Sequence, residues 1–467
     1  MSQTKQVIGY LPDERPPIWK LLLYAIQQVL VMFPATVAVA LLTGFYVSTT
    51  IFASGLATIC FILVTGRKIP LYYGSSFSYL AAITGLMASQ ELAGSTLDEK
   101  IAVAQFGIIM SGFVSIAAGL IVRNFGRESI EKILPATITG PIAMIIGLTL
   151  AKNALTDAAS YSGSALAAAE LSAEQAASAQ NLAWIVSLIT MISTILLSVY
   201  LKGFLGQLPL LLGPIIGCIA AYIIQLITGN SLFKVLPAEA VSSGIFALPH
   251  FTLPKPSWLA VAAIMPIAIA TIPESTAHIY QLDIYVNDLA KKLGKDKKYD
   301  IADRLGSNLI GDGIGDMVSG FVGGPAGTNY GENISAMAIT RVFSIPVLIA
   351  ASIIAMVISC FTPLINTIYT IPTAVIGGLE VYLFGAIAAQ GIAIMIEKKV
   401  DMFSAKNIAV IATIMIIGLG GNYGFGGNIP FFGIEIPCVA GAAIFGILLN
   451  LLLSIGEKKE AATSLNS

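Results

Sequence analysis

Charge is the scarcest thing in this sequence. Only 11% of its 467 residues are Asp, Glu, Lys or Arg, against 56% hydrophobic residues and a mean hydropathy of +0.85. A soluble globular chain carries roughly a quarter of its residues as charges, so a polytopic membrane protein is the reading left. Cysteine is scarce as well. Cys60, Cys218, Cys360 and Cys438 all fall in or beside apolar segments, which argues for buried thiols and against a disulfide framework. There is no GxxxxGK[ST] loop, no paired Cys/His metal spacing and no room for a nucleotide-binding domain, so transport driven by ATP on this chain, enzyme chemistry, a metal site and a nucleic-acid partner are not expected. The start of the chain, with Asp13, Glu14 and Arg15 ahead of the first apolar run, lacks the layout of a cleaved signal peptide.

Apolar windows of about 17–25 residues fall near 18–43, 47–65, 74–90, 101–121, 134–151, 182–201, 208–228, 258–281, 305–322, 329–341, 344–361, 372–396, 407–421 and 436–455. The expected fold is therefore all-α with 14 transmembrane segments. With both termini cytoplasmic, only Lys100, Lys152, Lys234 and Lys255 of the 25 Lys and Arg residues fall on the outer side, the asymmetry that the positive-inside rule asks for. The Ala/Ser-rich stretch 153–181 reads as an outer surface excursion. Lys291 to Lys298 reads as a basic inner loop, and 457–467 as a disordered tail.

Two windows are interrupted. In the tenth, Gly323-Gly324-Pro325-Ala326-Gly327-Thr328-Asn329-Tyr330-Gly331 cannot be helix, because glycine and proline remove helix propensity and a donor. From Asn333 onward a short helix is expected, with Glu332, Asn333 and Ser335 in its first turn as partners for free N–H groups. Irregular backbone at membrane depth is tolerated only where it is buried or lines a cavity, and a broken span is a pointer to a transport site. The third window is interrupted by Pro70 and by Tyr72-Tyr73-Gly74-Ser75-Ser76-Phe77-Ser78. Pro135-Ala136-Thr137-Ile138-Thr139-Gly140 and Pro372-Thr373-Ala374-Val375-Ile376-Gly377 open the fifth and twelfth windows. That shift of seven spans superposes the two interrupted windows and implies two inverted repeats of seven spans.

Ionisable groups inside these windows are functional candidates. Glu274 lies mid-span with His278 four residues on, one helical turn along the same face. An acid with no fixed cation nearby in sequence is expected to take up and release a proton, with His278 assisting. Glu332 is the second acid, read either as a substrate ligand or as a cap on its own half-helix. Asp312 and Asp316 are read as supports of the core by hydrogen bonding ahead of substrate contacts, and Arg341 either complements the negative end of the half-helix or serves in gating. Phe77, in the first turn after the break at Gly74, is placed to stack on a planar ligand. Two carboxylates that accept and two half-helix starts that donate suit a small planar solute with adjacent N–H and C=O groups, such as a nucleobase.

Glu332-Asn333-Ile334-Ser335-Ala336-Met337-Ala338-Ile339-Thr340-Arg341 resembles the signature of the nucleobase–ascorbate transporter family, with Ser335 where that family usually has Gly. The resemblance extends from Gly74-Ser75-Ser76-Phe77 through Glu274 to Tyr330-Gly331. Its Gly-Glu-Asn and Thr-Arg forms look like bacterial uracil permeases, whereas Glu274-Ser275-Thr276 is closer to purine carriers and keeps xanthine or urate as the alternative. The resemblance implies a proton symporter of the bacterial cytoplasmic membrane, usually dimeric, with no cofactor and with Na⁺ as the other candidate coupling ion. Anion exchange and an uncoupled channel are the competing readings on the same architecture. It also implies substrate contacts from Phe77, Glu274, Tyr330, Gly331, Glu332 and Asn333, coupling through Glu274 and His278, and support from Gln28, Ser76, Asp312, Thr340 and Arg341. The expected organisation is a cytoplasmic segment 1–17, a core of 18–133 and 258–361, a gate of 134–257 (with outer loop 152–181) and 362–455, and a cytoplasmic tail 456–467.

Overall fold

The computed structural model describes residues 9–126, 128–162, 173–236, 244–432 and 434–464. Among the described residues, ten helices are long and apolar enough to cross a bilayer, and Phe77–Met87 and Ile345–Ser359 are shorter apolar helices. Several present apolar side chains outward: Leu188, Ile192 and Leu196 are each close to half exposed at successive turns of the helix Ala173–Tyr200. A soluble helix would bury that stripe, and a lipid-facing one need not. The chain is a mostly helical polytopic membrane protein.

The helices sort by what they pack against. Ile18–Thr43, Val47–Val64, Leu97–Phe125, Leu305–Val322 and Ile345–Ser359 contact one another, and Trp258–Lys292 joins them. Ala136–Thr149, Ala151–Ala158, Ala173–Tyr200, Pro209–Thr228, Thr373–Glu397, Ala405–Phe425 and the helix from Cys438 make a second set of mutual contacts. Between Leu97–Phe125 and Leu305–Val322 the approach is close because Gly112 and Gly313 each lie on the other's carbonyl, the small-residue contact that brings membrane helices together.

The two interrupted windows meet. Strand β1 (Tyr73–Ser75) pairs antiparallel with strand β2 (Gly327–Asn329), Tyr73 opposite Asn329 and Ser75 opposite Gly327. Ser76 N–H donates to Ala326 C=O and Tyr330 N–H to Tyr72 C=O, both at 2.9 Å, so the backbone that leaves the helical ladder is paired across the ribbon. The Tyr330 ring covers Gly74 and the Tyr73 ring covers Gly327, each where a Cβ would collide. After β1 come one 3₁₀ turn (Phe77–Tyr79) and the helix Leu80–Met87; after β2 comes the helix Gly331–Thr340.

Several windows need correction. The eighth runs on to Lys292, with a 3₁₀ turn at Met265–Ile267, where Pro266 cannot donate to the ladder. The tenth begins at Gly331, before the expected Asn333. Ala151–Ala158 and Ala173–Tyr200 carry helix into both ends of the stretch read as an outer loop, whose residues 163–172 lie outside the described residues. The last helix continues to Ser464 because Glu457, Lys458, Lys459, Glu460, Ala461 and Ala462 are good helix formers. A short helix, Thr362–Tyr369, and a hairpin of β3 (Asn428–Phe431) with β4 (Ile434–Pro437) were not foreseen.

The segment before the first helix is tied down. Tyr10 N–H donates to Arg341 C=O and Phe343 N–H to Tyr10 C=O, both at 2.8 Å. Lys297 pairs with Asp13 at 2.5 Å, Tyr299 O–H donates to the same carboxylate at 2.6 Å, and Lys295 pairs with Glu14 at 3.1 Å. Partial burial opposes the charge on Asp13, but the bonds from Lys297 and Tyr299 outweigh it and hold the carboxyl below its usual range. Its contribution is therefore present above the unfolded value near 3.8 and lost as pH falls through the lower folded one. These side chains are about half exposed, so each contact is worth only about 0.2–1 kcal/mol. Asp13→Asn at neutral pH is expected to raise amide exchange at Tyr10 and Phe343 by no more than about fivefold; a mass-spectrometric exchange measurement that shows no rise removes Asp13 from the tether.

Candidate substrate site

The first turn of Gly331–Thr340 leaves N–H groups without intrahelical partners, and its positive end faces the ribbon. No side chain caps it at Tyr330. Half-buried Glu332 turns its carboxylate back on its own N–H. Asn333, fully buried, does not cap: its Nδ2 donates to Gln28 C=O at 3.0 Å and to Gln28 Oε1 at 2.8 Å, which draws it across to the first helix. Its Oδ1 has no protein partner. The Tyr330 side chain also turns inward, bonded to Thr36 Oγ1 and donating to Ser75 C=O, each at 3.0 Å. At the other half-helix, Ser76 Oγ accepts from Ser78 N–H at 3.3 Å, and half-buried Phe77 packs on the core that contains Ile272, Tyr330 and Ile334.

Glu274 is half-buried on Trp258–Lys292 and lines a cavity of about 740 Å³ whose wall also includes Pro135, Thr139, Tyr280, Gln390 and Lys398. It lies close enough to Glu332 for the two charges to repel. His278 reaches the broken segment: it bonds the backbone of Asn329 and sets Nε2 against Gly331, where an added Cβ would come within 2.8 Å. Its Nδ1 has no partner. Gly331 is thus the space in which the imidazole sits beside the half-helix start.

Two buried aspartates hold this arrangement. Asp312 accepts from Ser275 Oγ at 2.5 Å, Asn329 Nδ2 at 2.7 Å and Asn308 Nδ2 at 3.4 Å, which joins the residue next to Glu274 to strand β2. Asp316 accepts from Tyr73 O–H at 2.5 Å, Gly327 N–H at 2.8 Å and Ser111 Oγ at 3.4 Å, clamping both strands at once. Thr340 and Arg341 lie at the far end of the half-helix, about 15 Å along its axis. Thr340 Oγ1 donates back to Ala336 C=O at 2.9 Å, and exposed Arg341 ends the helix in the left-handed region at φ 60°. Tyr73, Ser275, Asn308 and Asn329 were not singled out in the sequence, although Asn329 stands inside the broken stretch and Ser275 beside Glu274. Among the described residues there is no group of three or more His, Cys, Asp or Glu side chains that could hold a metal ion.

Residues 19–427 match the family described as "Permease family" (Xan_ur_permease). The chain belongs to that family. The permease is similar along nearly its whole length to proteins named uracil permease: 33% identity with that of Bacillus caldolyticus, covering 94% of each chain, and 30% with that of Escherichia coli K12, covering 97% of this chain and 95% of that one. It is also 33% identical to the putative pyrimidine permease RutG of E. coli K12, over 95% of this chain and 91% of that one. A permease is a transporter and not an enzyme. Among solved structures, the anion transporter SLC26A9 aligns with a TM-score of 0.62 over 94% of this chain and 66% of that one, and the transmembrane domain of the cyanobacterial bicarbonate transporter BicA with 0.55 over 92% and 96%. Both are 13% identical to the permease, a likeness of fold alone.

The clamp gives a stability prediction. Asp316→Ala leaves buried donors unsatisfied at about 1–3 kcal/mol each, whereas Tyr73→Phe removes one donor and leaves Asp316 two others. Thermal unfolding of the purified permease in detergent is expected to show a lower midpoint for Asp316→Ala than for Tyr73→Phe. Equal midpoints for Asp316→Ala and the unaltered protein would show that the clamp does not stabilise the fold.

Proposed function

We propose that this permease imports uracil with protons, binding the base where Glu274 and Glu332 converge at the start of the Gly331–Thr340 half-helix. The observation that carries the reading is that convergence: Glu274 at the cavity wall, close enough to Glu332 for the two charges to interact, with Glu332 in the first turn of a helix whose start has no side-chain cap. Uracil offers two N–H donors and two C=O acceptors, so the carboxyls can take its donors while backbone N–H groups give to its carbonyls. Relatives named uracil or pyrimidine permease support a pyrimidine over a purine. Phe77, Gly331 and the unspent Asn333 Oδ1 complete the pocket, with Gln28, Ser76 and Asp312 supporting it.

The protein acts as a secondary transporter of 14 spans in two inverted repeats, a core (18–133 and 258–361) moving against a gate (134–257 and 362–455). The β1–β2 pairing of the two interrupted windows and the two sets of helix contacts support this division. The cavity is lined by Lys398, on the side that the positive-inside rule assigns to the cytoplasm, so this arrangement faces inward. Residence in the bacterial cytoplasmic membrane with both termini inside, and a homodimeric state, belong to the same reading. H⁺ is the coupling ion and no cofactor is required: Glu274 takes up a proton with the substrate and gives it up after release, and His278 steadies the half-helix start.

In proteoliposomes, uracil uptake is expected to rise with an inward-directed proton gradient and to collapse with a protonophore, and Glu274→Gln to bind but not accumulate. Uptake that ignores the pH gradient and follows Na⁺ would overturn the coupling. Glu332→Gln sets amide donors against uracil's own donors and leaves polar groups unpaired, about 1–3 kcal/mol each; a loss of tenfold or more in uracil affinity follows, and unchanged affinity in a calorimetric titration removes Glu332 from the site. Xanthine is expected to compete poorly with uracil, and equal competition would favour the purine reading.

A further inference from the structure

A second group of ionisable side chains lies away from the substrate cavity. Asp157 at the end of Ala151–Ala158 and Glu380 on Thr373–Glu397 have their carboxyl groups within hydrogen-bonding reach of each other. Ala136–Thr149, which continues into Ala151–Ala158 as one span, and Thr373–Glu397 line the substrate cavity with their opposite ends, through Pro135–Thr139 and Gln390–Lys398, so the acid pair sits about 15 Å or more along the helix axis from it. Glu380 is 1% exposed, and its Oε2 has no hydrogen-bond partner. It faces a separate pocket of about 100 Å³ between the two sets of helices. Lys234 is the charged group that faces the pair, near enough to interact with both acids. Asn153 and Thr373 line the pocket beside it, while Leu41 and Leu42 of Ile18–Thr43 close it from the other set of helices.

The charges do not balance as ionised groups. Two carboxylates against one ammonium leave a net negative charge in a buried site, which is costly. Two carboxylates also cannot bond each other, since neither has a donor; a carboxylic acid facing a carboxylate can. One added proton corrects both faults. It supplies the missing donor and leaves a single carboxylate opposite Lys234.

We propose that Asp157 and Glu380 share one hydrogen ion, making a second proton-holding site at the end of the bundle opposite the substrate cavity. The pocket wall is divided between the two sets of helices, so any displacement of one against the other would open the pair to water and let its proton exchange. A metal cation is not the natural occupant, because the Lys234 ammonium already fills the role of fixed cation.

Infrared difference spectroscopy tests this on the full chain in detergent at neutral pH, since the carbonyl stretch of a protonated carboxyl is separate from carboxylate bands and shifts in D₂O. Glu380→Gln and Asp157→Asn are each expected to lose one protonated-carboxyl band. Lys234→Met is expected to gain one, as both acids must then be neutral. Unchanged carboxyl bands in both acid variants, or loss of a carboxylate band in place of a carboxyl band, would overturn the proposal. The two acids sit on different helices, so misfolding of one variant leaves the other readable. The readout needs no substrate, so its failure and a failure of the uracil reading are separate results.

Discussion

Peptide groups that leave a helix at membrane depth must find partners within the protein, and the rest of this structure follows from how that need is met. A break in one helix could be mended by water or side chains. Here two breaks mend each other through β1 and β2, with Ser76 and Tyr330 extending the pairing at either end. The strands cross closely only because Gly74 and Gly327 leave room for the rings of Tyr330 and Tyr73. A Cβ at either glycine would push a tyrosine off its partner strand and break bonds that have no alternative in a low-dielectric interior.

The aspartates of Leu305–Val322 turn this ribbon into a support for the acids. Asp316 fixes both strands, and Asp312 carries the connection through Ser275 to the turn that bears Glu274. Glu274 and Glu332 therefore do not float on separate helices. Buried hydrogen bonds tie their two segments together: Ser275, next to Glu274, joins through Asp312 to Asn329, three residues before Glu332, and His278 bonds the Asn329 backbone. Two like charges held in this way repel, and a solute that brings N–H groups, or a proton, relieves the repulsion. In the transport reading proposed above, the rigidity that keeps the acids together is what makes occupancy favourable.

How much of this was legible in the sequence depended on the range of the interaction. Apolar windows and the odd acids within them are local signals, so the helices, Glu274 and Glu332 could be placed, and Gly-Pro-Ala-Gly marked the break. The partner of the break could not be read, because three-residue strands carry no periodicity and the contacts join residues 255 positions apart. Asn333 misled for the same reason: its spacing fits a cap, but Gln28, 305 residues away, offers its amide two acceptors. Tyr330 reads as a ligand from its place in the motif, whereas its hydroxyl is committed to Thr36 and Ser75. Thr340 and Arg341 belong to the same motif and serve the end of the half-helix, which shows that a contiguous signature can mix residues near the site with residues that shape its support.

The two kinds of contact in the molecule differ in what it costs to move them. Inside the set of helices that carries the ribbon, contacts include buried hydrogen bonds and glycine-mediated backbone approaches, which have one good geometry. Between the sets, much of the seam is apolar: Val39 and Leu80 pack with Leu150, Ala154, Leu383 and Phe384. Dispersion and desolvation are non-directional, so such a surface can slide or part with a smaller penalty than a polar network can be strained. In the alternating mechanism proposed above, the ribbon and its acids then travel as one body and the seam yields. Away from the Glu274 cavity, that seam also holds the pocket with Asp157, Glu380 and Lys234, where parting the surfaces changes the solvation of charge. A seam with an apolar middle, with ionisable groups at the Glu274 cavity and at this pocket, can be mobile and still be sensitive to where its protons are.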